Sequence, residues 1–202
     1  MALDTYANLR TALTDRLARA DATTARVADF ITLAEADMNR ELRLIDQEVS
    51  TALSVSSATT ALPSDYLEMR SAPRISTNPT APLEYKTPEQ IEQMGTDSGS
   101  PLFYSIRGSN LLLGPPPDGT YTVTIYYFKQ IAALSDANTS NFILTDWPTL
   151  YLNGALAYGY DYFRNIALSD RHRAIFELLL NSINRNGKWS RYSGAALAVR
   201  VG

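Results

Sequence analysis

Hydrophobic positions recur every three to four residues at both ends of the chain and every second residue in its middle. The first helical stretch is predicted from Thr5 to Arg19. Leu9, Leu13 and Leu17 share a face, Tyr6 lies one turn earlier, and Asp4 is placed to cap the helix. A second is predicted from Thr24 to Asp46, with Val27, Ile31, Ala34, Met38, Leu42 and Ile45 along one stripe. The short joint from Arg19 to Thr23 makes the pair a helical hairpin.

From Ser50 the pattern changes. Leu53 and Val55 alternate with Ser54 and Ser56, as in a half-buried strand, and Pro63 ends the segment. Residues 71–82, SAPRISTNPTAP, read as a loop or edge segment. Thr87-Pro88-Glu89-Gln90 is a helix start: Thr87 caps, Pro88 suits the first helical position, and Gln90 completes a capping box. That helix must be short, because Gly95 stops it. Arg107-Gly108-Ser109-Asn110 predicts a turn between two strands, with Gly108 free to take positive φ. Residues 115–119 force another turn. The strand from Tyr121 to Lys129 then sets Tyr121, Val123, Ile125 and Tyr127 on one face and Thr122, Thr124, Tyr126 and Phe128 on the other. Aromatic residues on both faces suggest either that both are covered, one by a neighbouring subunit, or that one face packs and the other stays open.

Helical periodicity returns after Thr145. Thr145 or Asp146 is placed to cap, Pro148 fits the first turn, and the helix is predicted to run to about Asn165. It mixes Tyr151, Tyr158, Tyr160, Tyr162 and Phe163 with Gly154, Ala155, Ala157 and Gly159. That mixture allows close helix approach and buries large rings with polar tips. A last helix is predicted from a Ser169 cap, with Ile175, Phe176, Leu179, Leu180 and Ile183 as its stripe and Gly187 just past its end. The tail, KWSRYSGAALAVRVG, lacks acidic residues. Its large or charged groups are Trp189, Arg191, Tyr192 and Arg200 beside Lys188, with Leu197 and Val199 smaller. It reads either as a docking arm or as a segment in which Trp189 packs back and the end frays.

The fold expected from these elements is α+β, mainly a bundle of four helices with an inserted β-rich module and an extended C-terminal arm. Residues 1–49 and 142–187 form the bundle, 50–141 the insertion and 188–202 the arm.

Composition removes several kinds of chemistry. With no cysteine and one histidine, His172, there is no thiol chemistry and no common zinc site. His172 stands between Arg171 and Arg173, which oppose a cation and favour a surface or interface role. Carboxylates at Asp29, Glu35, Asp37 and Glu41 lie on an amphipathic helix and read as solvated surface as readily as a site. GSNLLLGPPPDGT contains neither a dinucleotide-binding nor a phosphate-loop pattern, and no GxSxG occurs. No catalytic, metal or cofactor residue is assigned. A net charge of −3 gives no broad affinity for nucleic acid. No uncharged apolar run is long enough to span a bilayer, and the first residues lack the regions of a signal peptide.

Several blocks together resemble tailed-bacteriophage head-to-tail adaptor, or head-completion, proteins. They are residues 62–70, LPSDYLEMR; Gly108 to Leu113 followed by PPPDGT at 115–120; IYYFK at 125–129; and the segment from Leu134-Ser135-Asp136 through Asn141 and Pro148 to Leu156. The resemblance implies a helical bundle with a β-rich insertion. It implies a ring of twelve copies beneath the portal protein that extends the DNA channel and offers a docking surface to a tail, stopper or nozzle protein. DNA would pass through without sequence-specific binding, and a C-terminal arm would reach the portal. The implied location is the virion connector, assembled in the host cytoplasm, with no catalytic residue, no cofactor and no membrane. The residues assigned to portal docking are Trp189, Arg191, Tyr192, Leu197, Val199 and Arg200. The alternatives are another virion structural protein such as a stopper or tail-completion protein, a carboxylate-based virion-associated hydrolase, and a generic helical interaction module.

Overall fold

The computed structural model describes residues 3–76, 80–95 and 97–191, with side chains to residue 187. In chain order the elements are α1 (Tyr6–Leu17), α2 (Thr24–Glu41), a 3-10 turn (Ile45–Gln47), β1 (Glu48–Val55), β2 (Thr59–Ala61), β3 (Tyr66–Ile75), β4 (Ala81–Pro82), β5 (Glu84–Tyr85) and α3 (Pro88–Glu92). They continue with β6 (Phe103–Arg107), β7 (Asn110–Gly114), β8 (Tyr121–Lys129), α4 (Phe142–Asp146), α5 (Pro148–Tyr162) and α6 (Ile166–Arg191). The chain divides into two compact units, residues 1–46 with 131–202 and residues 47–130. The α+β class holds, but the described residues contain six helices rather than four, and α3 belongs to the β-rich unit.

In the helical unit, α5 is the hub, packed against α1, α2, α4 and α6. Leu9, Leu13, Val27, Ile31, Ala34, Met38, Leu42, Leu150, Tyr151, Ala155, Leu156, Phe176, Leu180 and Ile183 are buried in one core. Two glycines let α5 come this close. A Cβ at Gly154 would lie 2.8 Å from Phe176 Cε2 and 3.0 Å from Ala34 Cβ; one at Gly159 would lie 2.9 Å from Leu17 Cδ2.

Helix ends differ from the sequence reading in four places. Thr5, not Asp4, caps α1 by accepting from the Asn8 amide, while Asp4 accepts from the Asn8 side chain. Helix α2 stops at Glu41. The next turn buries Leu44 and leaves Ile45 46% exposed, so Ile45 is not on the core stripe. The chain before Pro148 forms a separate short helix, α4, capped by Asn141, and Trp147 joins it to α5 without a side-chain cap. Pro148 has no amide to donate, which breaks the ladder at that joint. Finally, Ser169 lies inside α6, where its hydroxyl donates to the Ala157 carbonyl, and Gly187 lies inside it too. An added Cβ at Gly187 would lie 3.0 Å from Leu44 Cδ2, so this glycine serves close packing rather than a helix stop. The extended arm therefore does not begin at Lys188, because helix continues to Arg191.

The β-rich unit is two four-stranded sheets, ordered β1-β8-β3-β4 and β2-β7-β6-β5. Val55, Leu62, Ile75, Leu83, Leu111, Leu113, Val123, Ile125 and Tyr127 fill the layer between them. Strand β8 runs over the predicted residues, and its Val123–Ile125–Tyr127 face is buried. On the other face Thr122 and Tyr126 are exposed and Phe128 is buried. The segment read as loop or edge instead includes the end of β3, which pairs with β8 on one side and β4 on the other. Register shifts between Tyr66 and Arg74 accommodate Pro73 there. The Thr87–Gln90 capping box is present, and Gly95 and Gly108 have φ of 80° and 58°.

Candidate functional site

The arrangement closest to chemistry is a buried polar knot in the helical unit. Glu35, on the inner side of α2, is 4% exposed. Its Oε1 accepts from the Leu134 amide at 2.8 Å and from the Tyr151 hydroxyl at 3.0 Å. Tyr151 in turn accepts from the Asn141 side-chain amide at 2.6 Å, and that amide also donates to the Ala132 carbonyl. Nearby, Asn39 Oδ1 accepts from the Ile131 amide at 2.7 Å. The strand-free segment 131–141 is thus fastened to α2 and α5 through its own backbone.

Burial raises the Glu35 carboxyl above the ordinary carboxylate range, opposed by the bonds from Leu134 and Tyr151. Burial and then the nearby Glu35 charge push the Tyr151 hydroxyl far upward, so it stays a donor. A single enclosed carboxylate with its acceptor capacity engaged by structure is a fastening. Hydrolysis by paired carboxylates would need two of them converging on an open cleft. Among the described residues no group of three His, Asp or Glu could hold a metal ion. Of the other carboxylates of α2, Asp29 and Glu41 are exposed and Asp37 is part-buried. Asp37 accepts from the Tyr158 hydroxyl and pairs with Arg40 at 2.7 Å, and Glu41 contacts Arg40 at 3.3 Å.

His172 is part-buried on α6. Its Nδ1 lies 2.9 Å from Asn153 Oδ1, and its ring stacks on Tyr160 at 5.4 Å between centroids. Burial lowers its pKa, with Arg171 and Arg16 adding to the effect. The imidazole is a neutral inter-helix contact between α5 and α6.

What the helical unit offers a partner is surface. A groove of about 270 Å³ runs between α2 and α6, lined by Asp37, Arg40, Glu41, Arg173, Glu177 and Asn181 among others. At another end of the unit Arg19 lies 4.6 Å over the Phe163 ring and Arg26 lies 5.5 Å over Tyr162, which is 54% exposed. Arginine and tyrosine are the residue types that carry binding energy at protein interfaces. Of the predicted docking residues, Trp189 and Arg191 fall in the last turn of α6. Tyr192, Leu197, Val199 and Arg200 lie outside the described residues.

The polar knot was not read from the sequence. Glu35 sits in an alternation of small and acidic residues, and its partners are 99 and 116 residues away. The one local signal is position: Glu35 lies on the arc of α2 that carries Ile31, Ala34 and Met38.

Among the described residues no helix is long and apolar enough to cross a membrane. A family model described as SU10 adaptor protein matches residues 4–200. A search of curated proteins returned no match.

Proposed function

The chain belongs to the SU10 adaptor protein family of tailed-phage head-to-tail adaptors, which is not catalytic, and from that membership we propose how it works. It forms a ring of twelve copies beneath the portal, continues the DNA channel, and presents the surface on which a tail, stopper or nozzle protein docks. The observation that carries this reading is the extent of the match. It takes in both structural units and runs through residue 200, so the C-terminal segment belongs to the family pattern as well.

The structure supports the mechanics of such a part. The helical unit is fastened internally by Glu35, Asn39, Asn141 and Tyr151, so it can bear load without a ligand. A net charge of −3 suits a channel wall that must release DNA, because carboxylates repel phosphates. Assembly takes place in the host cytoplasm, and the mature location is the virion connector.

Portal attachment is assigned to Trp189, Arg191, Tyr192, Leu197, Val199 and Arg200. Ordering a segment costs about 1–2 kcal/mol of backbone entropy per residue. Ala195 and Ala196 recover little of that, so Trp189 and Tyr192 carry most of the anchoring. The test is a truncation after residue 188, measured for thermal melting and for capture by purified portal rings. Melting is expected to stay nearly unchanged while capture is lost. Trp189→Ala is expected to weaken capture strongly, and Arg200→Ala mildly and less at high salt. Full capture of the truncated chain contradicts the assignment. A lowered melting temperature for Trp189→Ala, with capture intact, shows instead that the tryptophan packs on its own domain.

A further inference from the structure

Three helices of the helical unit bring a set of hydrogen-bond donors to one place. Asn153 and Tyr160 lie two turns apart on α5 and share a face. His172 of α6 touches both: its Nδ1 lies 2.9 Å from Asn153 Oδ1, and its ring stacks on Tyr160. The Tyr160 hydroxyl reaches the last turn of α1 and donates to the Arg16 carbonyl at 2.9 Å. Arg16 is thereby tied to the ring stack that carries His172, and Arg171 precedes His172 on α6. Both arginines are exposed, and neither makes an ion pair among the described residues.

The charge at this place is one-sided. Arg171 and Arg16 both act on the imidazole, after its burial, to keep it neutral, and no carboxylate opposes them there. Asp15, Asp161 and Asp170 adjoin these residues in sequence, yet none of them pairs with either arginine. Arg173, on the other side of His172 in the sequence, lies over the Tyr158 ring instead. With Asn153 accepting at Nδ1, the ring proton sits there, and Nε2 has no partner among the described residues. Two guanidinium forks beside a nitrogen able to take up a proton match an oxyanion, and a phosphate above all. A protein interface would set apolar area among its arginines. The side chains that link these two, Asn153, Tyr160 and His172, end in polar groups.

We propose that Arg16, His172 and Arg171 form an oxyanion site whose ligand is a backbone phosphate of the DNA in the channel. This rests on the channel reading above and gives each copy one point of contact with the duplex. A phosphate contact carries no sequence information, so the DNA is free to move past it. As the anion arrives, His172 takes a proton from solvent at Nε2, and the new N–H donates to a phosphate oxygen. The contact is weak in one copy and adds up around a ring, without the broad basic surface that would arrest the DNA.

His172 is the one histidine in the chain, so its ring resonances report on this site alone. The test follows them by NMR through a pH titration of the full chain at low salt. It is run on the chain alone and with a short DNA duplex, inorganic phosphate or polyglutamate at matched charge. The duplex is expected to raise the midpoint of His172, equally for two unrelated sequences, and added salt to reverse the rise. Arg16→Gln with Arg171→Gln should weaken duplex binding at least about tenfold, through the loss of two charge-assisted bonds. Arg185→Gln removes another exposed arginine of α6 that has no ion pair among the described residues, and should leave binding unchanged. A midpoint that the duplex does not move overturns the proposal, as does an equal loss in the Arg185 variant. An equal response to polyglutamate overturns it in favour of an acidic protein surface, and a stronger response to free phosphate than to duplex in favour of a small anion. Melting curves confirm that each variant is folded. Portal capture by the native chain is read separately: capture without a duplex response removes this site alone, and a duplex response without capture removes the adaptor reading alone.

Discussion

Valine in place of Gly154 is expected to destabilise the helical unit by about 3 kcal/mol, the upper part of the range for overpacking. A Cβ there meets Phe176 Cε2 at 2.8 Å on one side and Ala34 Cβ at 3.0 Å on the other. Ala34 is buried on α2 and its Cβ moves only with that helix, so α5 cannot yield toward either neighbour. Alanine at the same site should cost less, because replacing a mid-helix glycine recovers about 1 kcal/mol of propensity. Gly159 provides the contrast. Its nearest obstacle is the end of the Leu17 side chain at 2.9 Å, which can turn aside, so Gly159→Ala should be near neutral. Denaturant unfolding followed by far-ultraviolet dichroism checks both. Equal effects at the two glycines would contradict this account of α5 as a clamped hub.

Glu35→Ala is expected to cost about 2–4 kcal/mol. It leaves the Leu134 amide and the Tyr151 hydroxyl without their acceptor, at about 1–3 kcal/mol for each buried group, less what is recovered by no longer burying a carboxylate. Glu35→Gln keeps an oxygen for the Leu134 amide and should cost less. The two replacements also differ from the native chain in pH dependence. The folded Glu35 carboxyl is raised by burial, so the folded protein holds this proton more tightly than the unfolded chain. Its contribution is fully present below the unfolded carboxylate value and is lost as pH rises through the raised folded value. The native chain should therefore lose stability over that rise, and Glu35→Gln should lose less. A Gln variant with an unchanged pH profile would show that Glu35 does not carry the effect.

Legibility in the sequence followed the range of the interactions. Thr87 to Gln90, Gly108 and strand β8 were readable because each rests on neighbours a few residues apart: a cap, a positive φ, an alternation. The inward stripes of α1 and α2 were readable for the same reason, through Leu17 and Met38. Readings failed where distant contacts overrode local signals. Gly187 has the identity of a helix stop but sits against Leu44, and α6 continues past it. Pro73 argues against a paired strand, yet β3 absorbs it with shifts in register against β8. Ile45 continues the spacing of α2, but the helix has already ended and Leu44 takes the buried place. Glu35 looked like helix surface because Leu134 and Tyr151 come from the far side of the β-rich insertion.

The proposed adaptor ring between portal and tail is open to a direct test. Imaging the purified chain bound to its portal by electron cryomicroscopy tests it most directly. One continuous ring of twelve copies coaxial with the portal channel is expected, with the C-terminal segment of each copy against the portal. Density away from the portal axis, a different copy number, or portal particles that remain bare at saturating concentration would contradict it.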